Sequence, residues 1–309
     1  MPQPHPNGQA QAAAEAIRAL EVPESLRRLA QGPWASEADL MAFEDALVRF
    51  FTPHAALFNP YPTYFRTRAY ELRLLRHLAP GLLDPARPYR AGVELGCAFG
   101  FRSLLLSPYC EQLTGFDIPE RYVGCVPSSF DTSVDVAALL VNGKLGSARA
   151  RFARRWPTDT GLPDGAADFV YSEYLLEHAP DLPGVLRECA RILQPGGRMV
   201  HVVANTTDTT LQFIDANVRS SPVTVWEVAR SLVAKHLLRR SRSAMQIRPN
   251  GTIVPRCHSE FLSTFPQQIE LYRIENTLFP ILEHGFRLEQ VLATREHNNV
   301  IVARKLERP

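Results

Sequence analysis

The stretch VELGCAFGFRS, residues 93–103, carries the residue types with the clearest chemical use. An apolar run ends in Glu94-Leu95-Gly96, and a second glycine follows at Gly100. Lacking a Cβ, each glycine lets a ligand come close to the loop backbone. Asp117 ends the next apolar run, EQLTGFDIP, 23 residues after Glu94. In an open α/β sheet, ligands bind beyond the carboxyl ends of the strands, and an acidic side chain at the second strand end accepts ribose hydroxyls. Glu94, Gly96, Gly100 and Asp117 together therefore fit a nucleoside-containing ligand.

Charge narrows the choice. A pyrophosphate loop prefers G-x-G-x-x-G, whereas the spacing here is G-x-x-x-G with Ala98 at the middle position. A carboxylate beside the loop repels a pyrophosphate and suits a cation. S-adenosylmethionine joins a nucleoside to a sulfonium and an ammonium and has no phosphate, so electrostatics favours it over a dinucleotide.

Histidines supply the candidate proton acceptors. His178 in YLLEHAPD and His258 in PRCHSEF are candidate general bases for a hydroxyl substrate. Against this, His178 serves equally well as a loop tether and His258 as a surface side chain. His201, inside the apolar run RMVHVVAN, reads as core-packed.

These residues need a scaffold. Apolar residues spaced three and four apart predict helices within 12–50, and Ser36 followed by Asp39 reads as a capped helix start. FNPYPTYF, residues 58–65, interrupts that pattern with two prolines, and TRAYELRLLRHL resumes it. After the linker APGLLDPARPYR the texture alternates. RAGVELG, EQLTGFDIP, GAADFVYSEY and RMVHVVAN read as strands. FRSLLLSPYC, DTSVDVAALLVNGKL and DLPGVLRECARILQPGGR read as helices, the last stopping at Pro195-Gly196-Gly197. FRLEQVLATR and NNVIVARKL read as a closing hairpin. Alternation of this kind predicts an α/β fold with a mostly parallel sheet. It is suspended over 206–260, an insertion of the sort that covers a ligand.

Composition sets the outer bounds. The chain has 309 residues, 45% hydrophobic and 21% charged, with a net charge of +2. Such a balance gives no overall basic footprint for DNA. The five cysteines, at 97, 110, 125, 189 and 257, are odd in number and lack C-x-x-C spacing, which disfavours zinc or a disulfide framework and predicts a reducing cytoplasm. No metal is expected. The start, MPQPHPNGQAQ, reads as disordered and lacks the features of a secretory signal. No apolar run reaches the length of a membrane span.

Within the insertion, residues 222–242 form an amphipathic helical pattern with Val225, Trp226, Ala229, Leu232, Val233, His236 and Leu237 on one face. Seven basic residues and one acidic, Glu227, lie between Arg219 and Arg248. The favoured reading packs the apolar face on the core or on a second subunit in a homodimer. Contact with an anionic membrane surface is the less favoured one.

Residues 91–204 resemble the core of class I S-adenosylmethionine-dependent methyltransferases of the small-molecule type. The resemblance rests on VELGCAFG, GFDIP, ADFVYSEYLLEHAPD and VLRECARILQPGGRMV, in family order and spacing, with GFRLEQV…NNVIVARK as the closing hairpin. It implies a Rossmann-like sheet of seven strands, mostly parallel with the last antiparallel, behind a helical N-terminal lid over 1–88. The methyltransferase domain then occupies 89–309, with the insertion before the final helix and hairpin. By the same resemblance Glu94, Gly96, Cys97 and Gly100 line the methionine end of the cofactor. Asp117 holds the ribose, Ile118 lies against the adenine, and Ser172 and Tyr174 face cofactor and substrate. The usual acidic adenine contact has no equivalent in RFARRWPTDTG, where Trp156 is the candidate to pack on the ring. Tyr64, with Tyr61 and Arg66, belongs to the lid, and Tyr64 is assigned to the cofactor.

The expected reaction is methyl transfer to a small-molecule acceptor, with a hydroxyl of a sugar or natural product as the leading class. An RNA or protein methyltransferase, or a catalytically silent cofactor-binding protein, is the alternative.

Overall fold

The structure, a computed structural model, describes residues 15–58, 64–118, 133–176, 179, 181–204, 245–247, 253–255, 275–293 and 298–307. The N-terminal start, Tyr61, His178, the stretch 222–242 expected to be an amphipathic helix, and His258 fall outside them.

Helical residues 15–19 lead into α1 (Glu24–Gln31), α2 (Glu37–Phe51), a 3-10 segment (Thr52–Leu57) and α3 (Tyr64–Leu78). The start of α2 is a capping box: Ser36 Oγ accepts the Asp39 amide at 3.2 Å, and the Asp39 carboxylate accepts the Ser36 amide at 2.9 Å. Two orphan amides of the first turn are thereby satisfied.

Strands β1 (Tyr89–Leu95), β2 (Cys110–Asp117), β3 (Ala150–Arg154), β4 (Ala167–Glu173), β5 (Leu193–Ala204), β8 (Phe286–Ala293) and β9 (Asn298–Lys305) form one sheet in the order β3-β2-β1-β4-β5-β9-β8. A separate two-stranded hairpin, β6 (Met245–Ile247) with β7 (Ile253–Pro255), lies within the insertion. β1 runs parallel to β2, and β2 to β3, while β9 is antiparallel to both β5 and β8. Helix α4 (Phe101–Leu106) follows β1. Helix α5 (Ser133–Ala137), extended by a π-helical segment to Lys144, precedes β3. Helix α6 (Leu182–Ile192) joins β4 to β5, and α7 (Glu275–Glu283) precedes β8. Among the described residues no helix is long and apolar enough to cross a membrane.

Two details depart from the sequence pattern. β3 has no apolar run to announce it: it reads ARFAR and sits at the sheet edge, where arginines are tolerated and discourage pairing with another chain. Helix α6 ends at Ile192 rather than at the Pro-Gly-Gly step, and β5 begins at once with Leu193.

The chain divides into two compact units. One comprises Met1–Tyr122, Val126–Pro157 and Ala167–Phe169, the other Val123–Cys125, Thr158–Ala166 and Val170–Pro309. In the first, the N-terminal helices are bound to the strand-bearing part by two kinds of contact. Phe51 stacks on Phe65 at 5.1 Å, and Phe65 meets Phe101 edge-on at 4.6 Å. Glu44, buried on α2, accepts hydrogen bonds from Arg73 and Arg76 of α3, and Arg76 also donates to Tyr109 Oη at 2.5 Å. In the second unit, Val185, Leu186, Cys189 and Ile192 of α6 are buried with Met199, Val200, Ile301 and Val302 in the core.

Candidate functional site

The first unit assembles the carboxylates and the glycine loop. Glu94 and Asp117 are 2% and 4% exposed, so both acids stand at strand ends out of bulk water. Glu94 accepts a hydrogen bond from Ser103 Oγ. After β1 the chain turns sharply, and the amides of Gly96 and Cys97 both donate to Phe116 O, at 2.8 and 3.0 Å. Gly96, Ala98 and Gly100 all take left-handed backbone, with φ of 78°, 45° and 77°. Glycine adopts this freely and alanine does not. What holds Ala98 there is Asp117, whose Oδ2 accepts the Ala98 amide at 2.7 Å while its Oδ1 accepts the Ile118 amide at 2.8 Å.

Gly100 has a second reason to be glycine. A Cβ there would meet Val141 Cγ2 at 2.8 Å and Ala137 Cβ at 3.0 Å. The loop thus seats closely against α5 and its extension. Gly115 of β2 plays a matching part, since a Cβ there would meet Cys97 Cβ at 2.8 Å. Sequence reading passed over Gly115, although an isolated glycine inside a strand is itself a sign of close backbone approach. The loop's apolar side is fixed by Phe99, which meets Phe58 edge-on at 5.7 Å.

Electrostatically the loop is anionic. Residues 96–101 contain no lysine or arginine. The next cation, Arg102, is buried and donates to Arg68 O at 2.7 Å and to Glu71. Burial, together with the Asp117 and Glu94 charges, pushes the Cys97 thiol well above its ordinary range, so it is a packed thiol and not a nucleophile. A donor set of buried carboxylates and left-handed backbone fits a ligand bearing cationic groups and a ribose, and it disfavours a pyrophosphate.

Other expected residues fall around this loop to differing degrees. Ile118 is buried directly after Asp117. The Arg155 amide donates to Asp117 O at 2.9 Å, and half-buried Trp156 follows it, two residues past the end of β3. Tyr64 opens α3, edge-on to Phe65 at 5.2 Å, with the Arg68 guanidinium 5.0 Å from its ring centre.

The second unit holds the end of β4. Ser172 is fully buried, and its Oγ lies 2.7 Å from His201 Nδ1 on β5. Tyr174 takes a left-handed φ of 51° with its amide donating to Val202 O at 2.9 Å. A bulky side chain in that region is strained, and such strain concentrates at functional turns. His201 is buried, as its place in an apolar run predicts, and burial pushes its pKa down to about 4, so the ring is neutral. Its pairing with Ser172 was not legible from either residue alone.

Among known families, residues 93–201 match the family described as a methyltransferase domain. An uncharacterised methyltransferase of Bacillus subtilis is 26% identical over 110 residues, 36% of this chain and 39% of that protein. Methyltransferase tpcH of Aspergillus fumigatus is 49% identical over 41 residues, 13% of this chain and 14% of that protein. The chain therefore matches well under half the length of either relative. Among solved structures, a SAM-dependent methyltransferase of Aquifex aeolicus aligns at 13% identity with a TM-score of 0.46, covering 76% of this chain and 98% of the other. N-methyltransferase NodS of Bradyrhizobium japonicum, in complex with S-adenosyl-L-homocysteine, aligns at 13% identity with a TM-score of 0.44, covering 81% of this chain and 89% of the other.

Proposed function

We propose that the chain, whose residues 93–201 match a methyltransferase domain, is a class I S-adenosylmethionine-dependent methyltransferase that methylates a hydroxyl of a small molecule, such as a sugar or natural product. The observation that carries the cofactor assignment is the Asp117 carboxylate, fixed at the end of β2 by the Ala98 and Ile118 amides. Two amides set its direction, and a carboxylate held at that strand end is the acceptor type a ribose hydroxyl needs.

Bound there, the cofactor supplies an electrophilic methyl group on a sulfonium. The chain's own residues bind and orient. Glu94 gives the carboxylate for the ammonium or sulfonium charge, and Gly96 and Gly100 give the close backbone approach. Cys97 lines the turn as a neutral thiol. Asp117 takes the ribose, Ile118 offers an apolar surface to the adenine, and Trp156 is assigned to the same ring. Tyr64 belongs to the helix that closes over the loop. Alignment and exclusion of water are the main contributions to rate in such a displacement. A hydroxyl acceptor must also lose a proton, a role we assign to His178 or His258. Three buried free cysteines, Cys97, Cys110 and Cys189, support a reducing, cytoplasmic setting.

The test is transfer of radiolabelled methyl from S-adenosylmethionine to a panel of sugars, phenols, amines, carboxylates and RNA. Label entering alcohols or phenols, and dropping in His178→Ala or His258→Ala while cofactor affinity holds, supports the reading. Label confined to amines or to RNA contradicts it.

A further inference from the structure

Three polar side chains sit on three neighbouring strands at one end of the second unit's part of the sheet. Ser172 is near the carboxyl end of β4, His201 is near the carboxyl end of β5, and Asn299 is the second residue of β9. Ser172 and His201 share a face, since their side chains are 2.7 Å apart. The antiparallel register pairs His201 with Ile301 and Val203 with Asn299, so Asn299 is the diagonal neighbour of His201 on that same face. Diagonal pairs stand roughly 7–8 Å apart between backbones, within reach of one bridging group.

Two of the three end in polar atoms left unmatched. His201 Nε2 and Asn299 Nδ2 are both buried and have no hydrogen-bond partner among the described residues. The ring's other nitrogen is committed to Ser172. The same face of β5 and β9 carries Met199, Val203 and Ile301, all buried and apolar. A frame of that kind does not leave polar atoms unmet without a cause, because the desolvation cost is large.

We propose that Ser172, His201 and Asn299 form a hydrogen-bonding recess that binds an uncharged polar group of the methyl acceptor, a hydroxyl or a carboxamide. This deepens the proposed function and rests on it. The chemistry of the recess selects the class. Asn299 Nδ2 donates. His201 Nε2 accepts when Nδ1–H donates to Ser172 and donates when Ser172 Oγ–H donates to Nδ1. A hydroxyl meets the first arrangement, accepting from Asn299 and donating to His201. A carbonyl oxygen meets the second, accepting from both. A carboxylate or phosphate finds no cation among these three side chains, because the buried ring stays neutral above about pH 4. The location agrees with the side of an open α/β sheet on which ligands bind.

The experiment uses the whole chain, labelled with ¹⁵N-histidine and saturated with S-adenosylhomocysteine. Benzyl alcohol, benzamide and benzoate are titrated in while the His201 ring signals are followed, with His201→Phe giving the assignment. The proposal predicts saturable shifts with benzyl alcohol or benzamide and none with benzoate. It also predicts that Asn299→Leu, close in shape, weakens the response about tenfold or more. No shift with any probe while S-adenosylhomocysteine binds normally overturns the recess and leaves the methyltransferase reading intact, the two atoms then holding a buried water only. Equal shifts with benzoate overturn the selection for uncharged groups. Failure of the wild-type chain to bind S-adenosylhomocysteine overturns the proposed function itself, and the recess with it. The wild-type titration decides the question even if a variant folds poorly.

Discussion

Asp117 is one carboxylate with two attachments, and that makes it the most informative single residue. It clips the left-handed Ala98 in place and is aimed by the Ile118 amide. Asp117→Ala leaves two amides without their acceptor and removes the support for a strained alanine. S-adenosylhomocysteine affinity should fall about tenfold or more in titration calorimetry, and unaltered affinity contradicts the assignment. His201 gives a pH prediction. Burial holds its folded pKa near 4, against 6.5 ordinarily. The unfolded chain therefore takes up this proton first, and stability falls as pH drops from about 6.5 toward 4, by on the order of 3 kcal/mol. His201→Phe should flatten that part of the stability profile in denaturant titrations at pH 7 and pH 4.5; an unchanged slope would mean the ring titrates normally when folded. Glu94, Gly96, Gly100 and Asp117 were legible in the sequence because acid type, glycine spacing and strand ends are all local. Ser172 and His201 were not legible as a pair, because which side chains meet across strands depends on register, and no single segment records it.

At the scale of elements, helix–strand alternation, the capped start of α2 and the closing hairpin could be read directly from periodicity. β3 could not, because its arginines suit an edge strand and break the apolar pattern that marks central ones. The boundary between α6 and β5 was misplaced for a different reason. Pro195-Gly196-Gly197 has the composition of a helix stop, yet Leu193 already belongs to the strand. Elements also fix the loop from behind. A methyl group added at Gly100 must enter the side chains of Val141 and Ala137 and adopt a left-handed φ of 77°. Gly100→Ala should therefore cost about 2–4 kcal/mol in chemical denaturation; a neutral change would mean the loop seats loosely on α5. The Glu44 network is the second element-level tie. Glu44 is 2% exposed in its side chain and pairs with Arg73 and with Arg76, itself 8% exposed. Glu44→Ala removes the buried partner shared by both arginines, leaves Arg73 to Asp45 and Arg76 to Glu37, and should lower stability by about 1–3 kcal/mol. A loss under 1 kcal/mol, the range of an exposed pair, would show that the helices are not held by it.

For the molecule as a whole, we propose that the first compact unit holds a cationic nucleoside cofactor and that the methyltransferase acts on a small molecule. Fold class and cofactor followed from residues 91–204, where motif order and spacing are dense. The acceptor did not, because the insertion over 206–260 carries composition without motif. The measurement that bears most directly on the central claim is calorimetric titration of the whole chain with S-adenosylmethionine, S-adenosylhomocysteine and NADH, repeated on Asp117→Ala. The account predicts micromolar binding of the first two, no binding of NADH, and loss of affinity in the variant. Binding of NADH, or of neither methionine derivative, or affinities indifferent to Asp117, would contradict it.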